Sequence, residues 1–281
     1  MNAGKEKYPL REWLPRVVDI ADTAADRIMR IYQTDFQVDR KEDESPLTAA
    51  DLASHDAICH GLRALTPQLP ILSEESAAVP FAERKTWNCY WLVDPLDGTK
   101  EFISRNGEFT VNIALIEQGR PVLGVVCVPA RHASFYAAAG QGAWRRSEDG
   151  AVQRIHCRRT SARHFAVAGS RSHASPAQER FFSALGPGTE IVSMGSSLKF
   201  CLVAEGRVDI YPRFGPTSEW DTAAAQCVVE EAGGIVTDTG LQPLRYNSKT
   251  EYLNPHFLVI GDPEFDWQAY LAPLVSDGRS P

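Results

Sequence analysis

The stretch Trp91-Leu92-Val93-Asp94-Pro95-Leu96-Asp97-Gly98-Thr99-Lys100-Glu101-Phe102 constrains this chain more than any other. The apolar run from Cys89 to Val93 has strand character and ends on Asp94. Pro95 removes a backbone donor, so the ladder is expected to stop there, and Gly98 permits a tight turn. Asp94 and Asp97 stand three residues apart across that turn, and both can face one point in space. The N–H groups of Gly98, Thr99 and Lys100 can open a short helix whose N-terminus favours an anion. Hard cations want carboxylate oxygens and a phosphate wants N–H donors, so one loop offers a place for metal ions and a phosphoryl group to meet. An Asp-Pro-x-Asp-Gly string is also ordinary turn chemistry. What else the chain supplies must decide between the two.

A length of 281 residues allows one large or two moderate domains with a substantial core. At 43% hydrophobic and 23% charged, with no low-complexity tract, the composition is that of a folded globular protein. The formal charge of -7 and the lack of a sustained basic stripe argue against a nucleic acid polymer as partner. Cys59, Cys89, Cys127, Cys157, Cys201 and Cys227 fall singly, without a C-x-x-C pair, and are expected as buried thiols of a reducing compartment. The polar segment 1–9 lacks the apolar core of a signal peptide, and no apolar run approaches the length of a membrane span. The expected location is the cytoplasm. Peripheral contact with the inner face of the cell membrane, and the oligomeric state, are left open.

Along the chain, Leu14, Val17, Val18, Ala21, Ala24, Ala25 and Ile28 recur at helical spacing and predict an amphipathic helix over 10–32. A short strand is expected at 36–39, then a charged, mobile loop at 40–45, then a helix carrying Leu52, Ile58, Leu62 and Leu65. Asp51 near its start suits a capping role. Residues 70–76 read as a strand running into Glu74 and Glu75; neighbours on an extended chain point to opposite sides, so at most one of the two is expected to face the site directly. A loop at 77–86 precedes the central strand. Segments 110–116 and 121–128 form a hairpin, followed by strands at 134–139, 142–146 and 153–157. The polar, basic stretch at 158–163 marks a boundary between 1–157, an α+β part with a mostly antiparallel sheet, and 158–281, an α/β part. In the latter, strands at 165–169, 190–192, 208–213, 234–237 and 257–261 alternate with helices at 176–185, 196–205, 221–232 and 265–275. The whole is layered α/β with a cleft between its two parts as the natural ligand site.

Leu72-Ser73-Glu74-Glu75-Ser76, Asp94-Pro95-Leu96-Asp97-Gly98-Thr99 and Trp220-Asp221-Thr222-Ala223-Ala224 resemble, in order, the three metal motifs of the inositol monophosphatase superfamily of magnesium-dependent, lithium-sensitive phosphatases. Gly98-Thr99-Lys100-Glu101-Phe102, Arg105-Asn106-Gly107-Glu108-Phe109-Thr110-Val111-Asn112-Ile113-Ala114, Gly195-Ser196-Ser197-Leu198-Lys199-Phe200, and Tyr211-Pro212-Arg213 before Glu219-Trp220-Asp221 are most similar to its 3'(2'),5'-bisphosphate nucleotidase branch, of the CysQ type. The resemblance implies an αβαβα sugar-phosphatase-like fold, with metal ligands mostly in 1–157 and substrate specificity in 158–281. It further implies that Glu74, Asp94 and the Leu96 carbonyl bind one Mg²⁺, and that Asp94, Asp97 and Asp221 bind a second. A third ion near Glu74 and an outer role for Glu75 stay open.

Thr99, hydrogen-bonded to Asp51, would orient the attacking water, with Asp51 as proton acceptor. Gly98, Thr99, Ser170, His173, Ser196, Lys199, Arg213 and Asp221 would contact the substrate. Ordinary readings stand beside these: Ser196 as a helix cap, Lys199 as a helix surface residue, Arg213 as a surface ion pair, and Arg105 and Lys100 as weaker candidates. The implied reaction is Mg²⁺-dependent removal of the 3'-phosphate of adenosine 3',5'-bisphosphate, a small-molecule nucleotide, or of its sulfated analogue PAPS, in sulfate assimilation. An inositol monophosphatase or fructose-1,6-bisphosphatase-like activity is the nearest alternative, and a non-catalytic metal- or nucleotide-binding regulator is the alternative of another class.

Overall fold

The computed structural model of the chain describes residues 7–40, 46–76, 78–161, 163–169 and 176–275. The first apolar stripe forms α1 (Leu10–Tyr32), with the bounds its spacing predicts and with Leu14, Val17, Ala21, Ala24 and Ile28 buried. A small ribbon follows, β1 (Val38–Arg40) paired antiparallel with β2 (Pro46–Thr48), and leads into α2 (Ala49–Leu65). Then come β3 (Ile71–Ser73), α3 (Phe81–Arg84), β4 (Cys89–Asp97), α4 (Thr99–Ile103), β5 (Thr110–Glu117), β6 (Arg120–Val128), β7 (Ala133–Ala138), β8 (Ala143–Arg146) and β9 (Val152–Ile155). These strands make a seven-stranded sheet in chain order from β3 to β9; β3 and β4 are parallel and the other neighbours antiparallel. Gln118 and Gly119, both at positive φ, close the predicted hairpin between β5 and β6 in a two-residue turn.

The second half supplies β10 (Ala166–Gly169), α5 (Pro176–Leu185), β11 (Glu190–Ser193), α6 (Leu198–Ala204), β12 (Ile210–Arg213), α7 (Glu219–Glu231), β13 (Ile235–Asp238), β14 (Phe257–Ile260) and α8 (Gln268–Val275). Its sheet runs β11-β10-β12-β14-β13, parallel on the β11 side and antiparallel through β14. Alternation along β4 and β5 decides the layers. Trp91, Val93, Ile113 and Leu115 face α1 and α2, whereas Tyr90, Leu92, Ala114 and Ile116 face a core shared with α6, α7 and the inner side of the second sheet. Phe181, Leu185, Trp267 and Leu271 close the far side of that sheet under α5 and α8. The order helices, sheet, helices, sheet, helices is the αβαβα stack.

The layers meet closely where β6 crosses α7. A Cβ placed on Gly124 would lie 2.2 Å from the Ala224 carbonyl oxygen and 2.9 Å from the Cys227 Cβ. Gly124→Ala is expected to cost about 1–3 kcal/mol through this overlap, read as a lowered midpoint in thermal melts. A midpoint equal to wild type would contradict the close sheet-to-helix approach.

Several local expectations are corrected. β4 does not stop at Pro95: it continues to Asp97 with a register shift, Asp94 opposite Asn112 and Asp97 opposite Thr110. The extra residue is absorbed as a bulge, so the missing Pro95 donor costs no ladder bond. Glu74 and Glu75 lie on a 3₁₀ turn, Glu74–Ser76, so the extended-chain argument for one of them facing away does not apply. The predicted loop at 77–86 contains α3. The strand expected at 36–39 is Val38–Arg40, and of the loop at 40–45 all but Arg40 lies outside the described residues. α6 begins at Leu198 rather than at 196, and α7 begins at Glu219 rather than at 221.

Candidate active site

Each acid of the site sits where an element ends or begins. Glu74 opens the 3₁₀ turn after β3, Asp94 and Asp97 bracket the bulge of β4, and Asp221 is the third residue of α7. Asp94 is 1 % exposed, and one of its oxygens accepts the Leu96 N–H at 3.0 Å. Asp97 accepts the Ser197 N–H at 2.6 Å and the Thr110 hydroxyl at 3.4 Å. Asp221 accepts the Ser218 N–H at 2.9 Å, completing a capping box.

Burial pushes the Asp94 carboxyl well above the usual range, and Glu74, Asp97 and Asp221 push it further. Asp221 is raised too, by burial first and then by Asp97, with Glu74 adding to the shift. Four acids from both halves of the chain therefore feel one another, although their sequence positions span 74 to 221. Among the described residues no three Asp, Glu, His or Cys side chains stand in an arrangement that holds a metal ion as it is. The donor set is hard oxygen with an excess of negative charge, which fits a divalent cation of the Mg²⁺ kind.

Beside the acids stands a hydroxyl–carboxylate pair. Thr99 opens α4, and its Oγ1 donates to Asp51 Oδ1 at 3.3 Å, with the Leu96 carbonyl at 3.5 Å. The other oxygen of Asp51 accepts the Thr48 N–H at 2.8 Å and the Thr48 hydroxyl at 2.7 Å, capping α2. Asp51 is 1 % exposed; one of its oxygens serves the cap and the other takes the Thr99 hydroxyl. Gly98 carries φ of 92° to make this corner, and a side chain there would press on Ser196 Cβ and the Glu108 carbonyl, each at 3.3 Å.

On the far side of Asp97 and Asp221 lies a cleft of about 450 Å³, lined by Gly98, Lys100, Ser196, Lys199, Tyr211 and Arg213 among others. Ser196 is not a helix cap; it takes φ of 51° ahead of α6, and its hydroxyl meets the Thr110 hydroxyl at 2.7 Å. Lys199 is not on the surface either. At 6 % exposure it donates to the Met194 and Ser196 carbonyls at 3.1 and 2.8 Å, holding its own loop. Burial pushes its ammonium down to about 8, opposed by Asp97 and assisted by Arg213. Arg213 donates through Nη2 to the Pro216 carbonyl at 3.0 Å, while its buried Nε has no partner among the described residues. Arg105 turns away, donating to the Tyr32 and Thr34 carbonyls at 2.5 and 2.6 Å. Ser170 and His173 lie outside the described residues. A roomier recess of about 660 Å³ on the other face of α6, lined by Phe135, Arg145 and Leu202, carries none of the site's acids. Size alone does not mark the chemistry.

Residue-by-residue reading missed the frame that joins the two halves. Glu108 accepts the Gly195 N–H at 2.7 Å, Ser197 donates to Asn112 Oδ1 at 2.9 Å, and Thr110 meets the Ser197 hydroxyl at 2.8 Å. One signal was present: Thr110 and Asn112 are polar at period two in β5, whose remaining residues up to Ile116 are apolar, which places both on one face.

Comparison with known proteins agrees with this geometry. The sequence pattern of the inositol monophosphatase family matches residues 10–275. The chain is 50% identical over 248 residues to the 3'(2'),5'-bisphosphate nucleotidase CysQ of Salmonella typhimurium, covering 88% of this chain and 98% of that one. It is 39% identical over 259 residues to the protein of the same name from Haemophilus influenzae, covering 91% and 95%. Among solved structures, CysQ from Bacteroides thetaiotaomicron superposes with a TM-score of 0.80 at 41% identity, over 92% of this chain and 100% of that one. An inositol monophosphatase from Zymomonas mobilis gives 0.76 at 25% identity, over 95% and 100%. With the motifs in order, the layers in place and the match running nearly end to end, the chain belongs to the inositol monophosphatase family.

Proposed function

We propose that this protein is a Mg²⁺-dependent phosphomonoesterase that hydrolyses the 3'-phosphate of adenosine 3',5'-bisphosphate to give AMP and phosphate, with PAPS as a second substrate. The observation that carries the reading is the pair of buried carboxyls Asp94 and Asp221, each held above its ordinary range by burial and by the neighbouring charges of Glu74 and Asp97, beside the Thr99–Asp51 pair. The relatives at 50% identity support the choice of substrate. Glu74, Asp94, the Leu96 carbonyl, Asp97 and Asp221 would hold two Mg²⁺ ions, with room in the reading for a third near Glu74. Cation charge held by these residues would offset the charge on the phosphoryl and departing oxygens and would make a bound water more acidic.

The chain's own contribution is positional. The Thr99 hydroxyl, donating to Asp51, keeps a lone pair to accept a hydrogen bond from water and aim it in line with the ester. Asp51 receives the proton. Ser196, the Lys199 charge and the Arg213 guanidinium, residues that line the cleft beside Asp97, receive the phosphate that is not cleaved. In this reading 1–157 carries most of the cation ligands and 158–281 the substrate-specific wall. No described helix is long and apolar enough to cross a membrane, and we place the enzyme in the cytoplasm, acting on small nucleotides.

The test is phosphate release from adenosine 3',5'-bisphosphate, PAPS, inositol 1-phosphate and fructose 1,6-bisphosphate, each with Mg²⁺ and with excess chelator. The expected outcome is fastest turnover of a 3'-phosphorylated nucleotide and none with chelator. Faster turnover of the inositol or fructose ester would overturn the substrate, and turnover in chelator would overturn the mechanism.

A further inference from the structure

Arg84, at the end of α3, is 1 % exposed; backbone carbonyls and an amide, rather than a carboxylate, accept from its two Nη groups, while its Nε has no partner among the described residues. Nη1 donates to Asn247 Oδ1 at 2.6 Å; Nη2 donates to the Lys249 carbonyl at 3.0 Å and to the Thr250 carbonyl. Asn247 Nδ2 donates back to the Arg84 carbonyl at 2.6 Å. The guanidinium also lies against the rings of Phe81 and Tyr252, at 4.8 and 4.4 Å from their centroids. Desolvating a guanidinium is costly, and it persists only where its fork is met by acceptors held in one geometry.

The segment so held, 247–254, is fastened at its other end to the first turn of α7. The Asn247 N–H donates to Glu219 Oε2 at 2.8 Å and the Glu219 N–H to the Tyr252 carbonyl at 2.8 Å. Leu253 bridges to Ser218, and Asn254 Nδ2 donates to the Ser218 carbonyl at 2.7 Å. Ser218 is the residue whose N–H fixes the Asp221 carboxylate. On the α3 side, the Tyr252 hydroxyl donates to the Val79 carbonyl at 3.2 Å, in the link that follows the Glu74 turn.

We propose that Arg84 is a positioning residue for the cation site: through the 247–254 strap it sets where Asp221 stands relative to Glu74, and so sets the affinity for Mg²⁺ without touching ion or substrate. The proposal rests on the reading that Glu74 and Asp221 hold the cation. Those two ligands come from opposite halves of the chain, and Glu74 adds to the cost of ionising Asp221. A strap that holds them at reach lowers the cost of assembling the site.

The experiment is calorimetric titration of Mg²⁺ into the substrate-free protein for wild type, Arg84→Gln, Asn247→Gly and Glu74→Gln, with thermal melts and the Mg²⁺ dependence of phosphate release alongside. Asn247→Gly suits the positive φ of 56° at that position and removes only the side-chain links. Both strap variants are expected to weaken Mg²⁺ by roughly tenfold or more, with kcat at saturating Mg²⁺ within about twofold of wild type on the same reasoning. Folded strap variants that bind Mg²⁺ as wild type does, with only the melting midpoint lowered, would overturn the proposal, as would a lost kcat at unchanged Mg²⁺ affinity. If Arg84→Gln does not fold, Asn247→Gly decides alone. Glu74→Gln separates the two levels: unchanged Mg²⁺ affinity in that variant defeats the cation reading itself, whereas a loss there with none in the strap variants defeats only the strap.

Discussion

Asp94→Asn is expected to remove turnover and, at the same time, to raise the melting midpoint of the metal-free protein at neutral pH. Loss of the carboxylate shared between the proposed ions should lower kcat/KM by about 10³-fold or more, roughly 4 kcal/mol of transition-state stabilisation. The stability gain follows from charge. Asp94 and Asp221 have folded pKa values raised well above the ordinary 3.8, chiefly by burial and then by neighbouring acids. The folded, metal-free protein therefore holds protons that the unfolded chain has already released. The stability this contributes is fully present below the ordinary carboxylate pKa and is lost as pH rises through the raised values. Metal-free wild type should melt at higher temperature in mildly acidic than in neutral buffer, and Asp94→Asn should flatten that dependence. Saturating Mg²⁺ at neutral pH should restore wild type by mass action, about 2.7 kcal/mol at a hundredfold excess over Kd, and should help Asp94→Asn much less. A metal-free Asp94→Asn protein that melts below wild type at pH 7.5, or that retains Mg²⁺-dependent turnover, would contradict this account of the site.

Thr99→Val should lower kcat by about 10²–10⁴-fold, the range of a positioned proton-transfer group, with Mg²⁺ affinity and melting midpoint close to wild type. Asp51→Asn should lose kcat to a similar extent but also lose stability of about 1 kcal/mol, because one Asp51 oxygen caps α2 through Thr48. The two carboxylate oxygens are thus assigned different work, and the pair of variants tells them apart. Thr99 and Asp51 act through one hydrogen bond at 3.3 Å, so the double variant should be little worse than either single one. Phosphate-release rates and melts of the three proteins measure this directly. Additive losses, or a Thr99→Val enzyme working at near wild-type rate, would take Thr99 out of the reaction.

Much of the architecture was legible along the chain because it depends on local periodicity. The stripe of α1, the hairpin of β5 and β6 and the bounds of α5 require only side chains at spacing 3.6 or 2 and turn residues between them. The acids were legible as well, since strand ends and helix starts in three short motifs are local features. Where reading failed, a distant partner had overridden the local rule. Pro95 should have ended β4, yet the bulge against Asn112 and Thr110 carries the strand on to Asp97. Ser196 and Lys199 looked like the start of an ordinary helix, yet Thr110 and Glu108, across the cleft, shape that loop into a positive-φ turn with its lysine folded back on the loop's own carbonyls. Arg84 lay in what read as a loop, and nothing nearby in sequence announces that it is buried against residues 247–250.

The sequence by itself therefore determined most of the elements, the layering and which acids stand at strand ends and helix starts, since hydrophobic period, turn chemistry and residue type are properties of short segments. Only the tertiary structure decided that burial and the neighbouring acids hold Asp94 and Asp221 above their ordinary range, which oxygen of Asp51 is committed to a helix cap, and what holds the Asp221 turn in place. Those outcomes depend on burial and on contacts between residues far apart along the chain. The energies that set them, desolvation and repulsion between like charges, take their values only once the layers have closed.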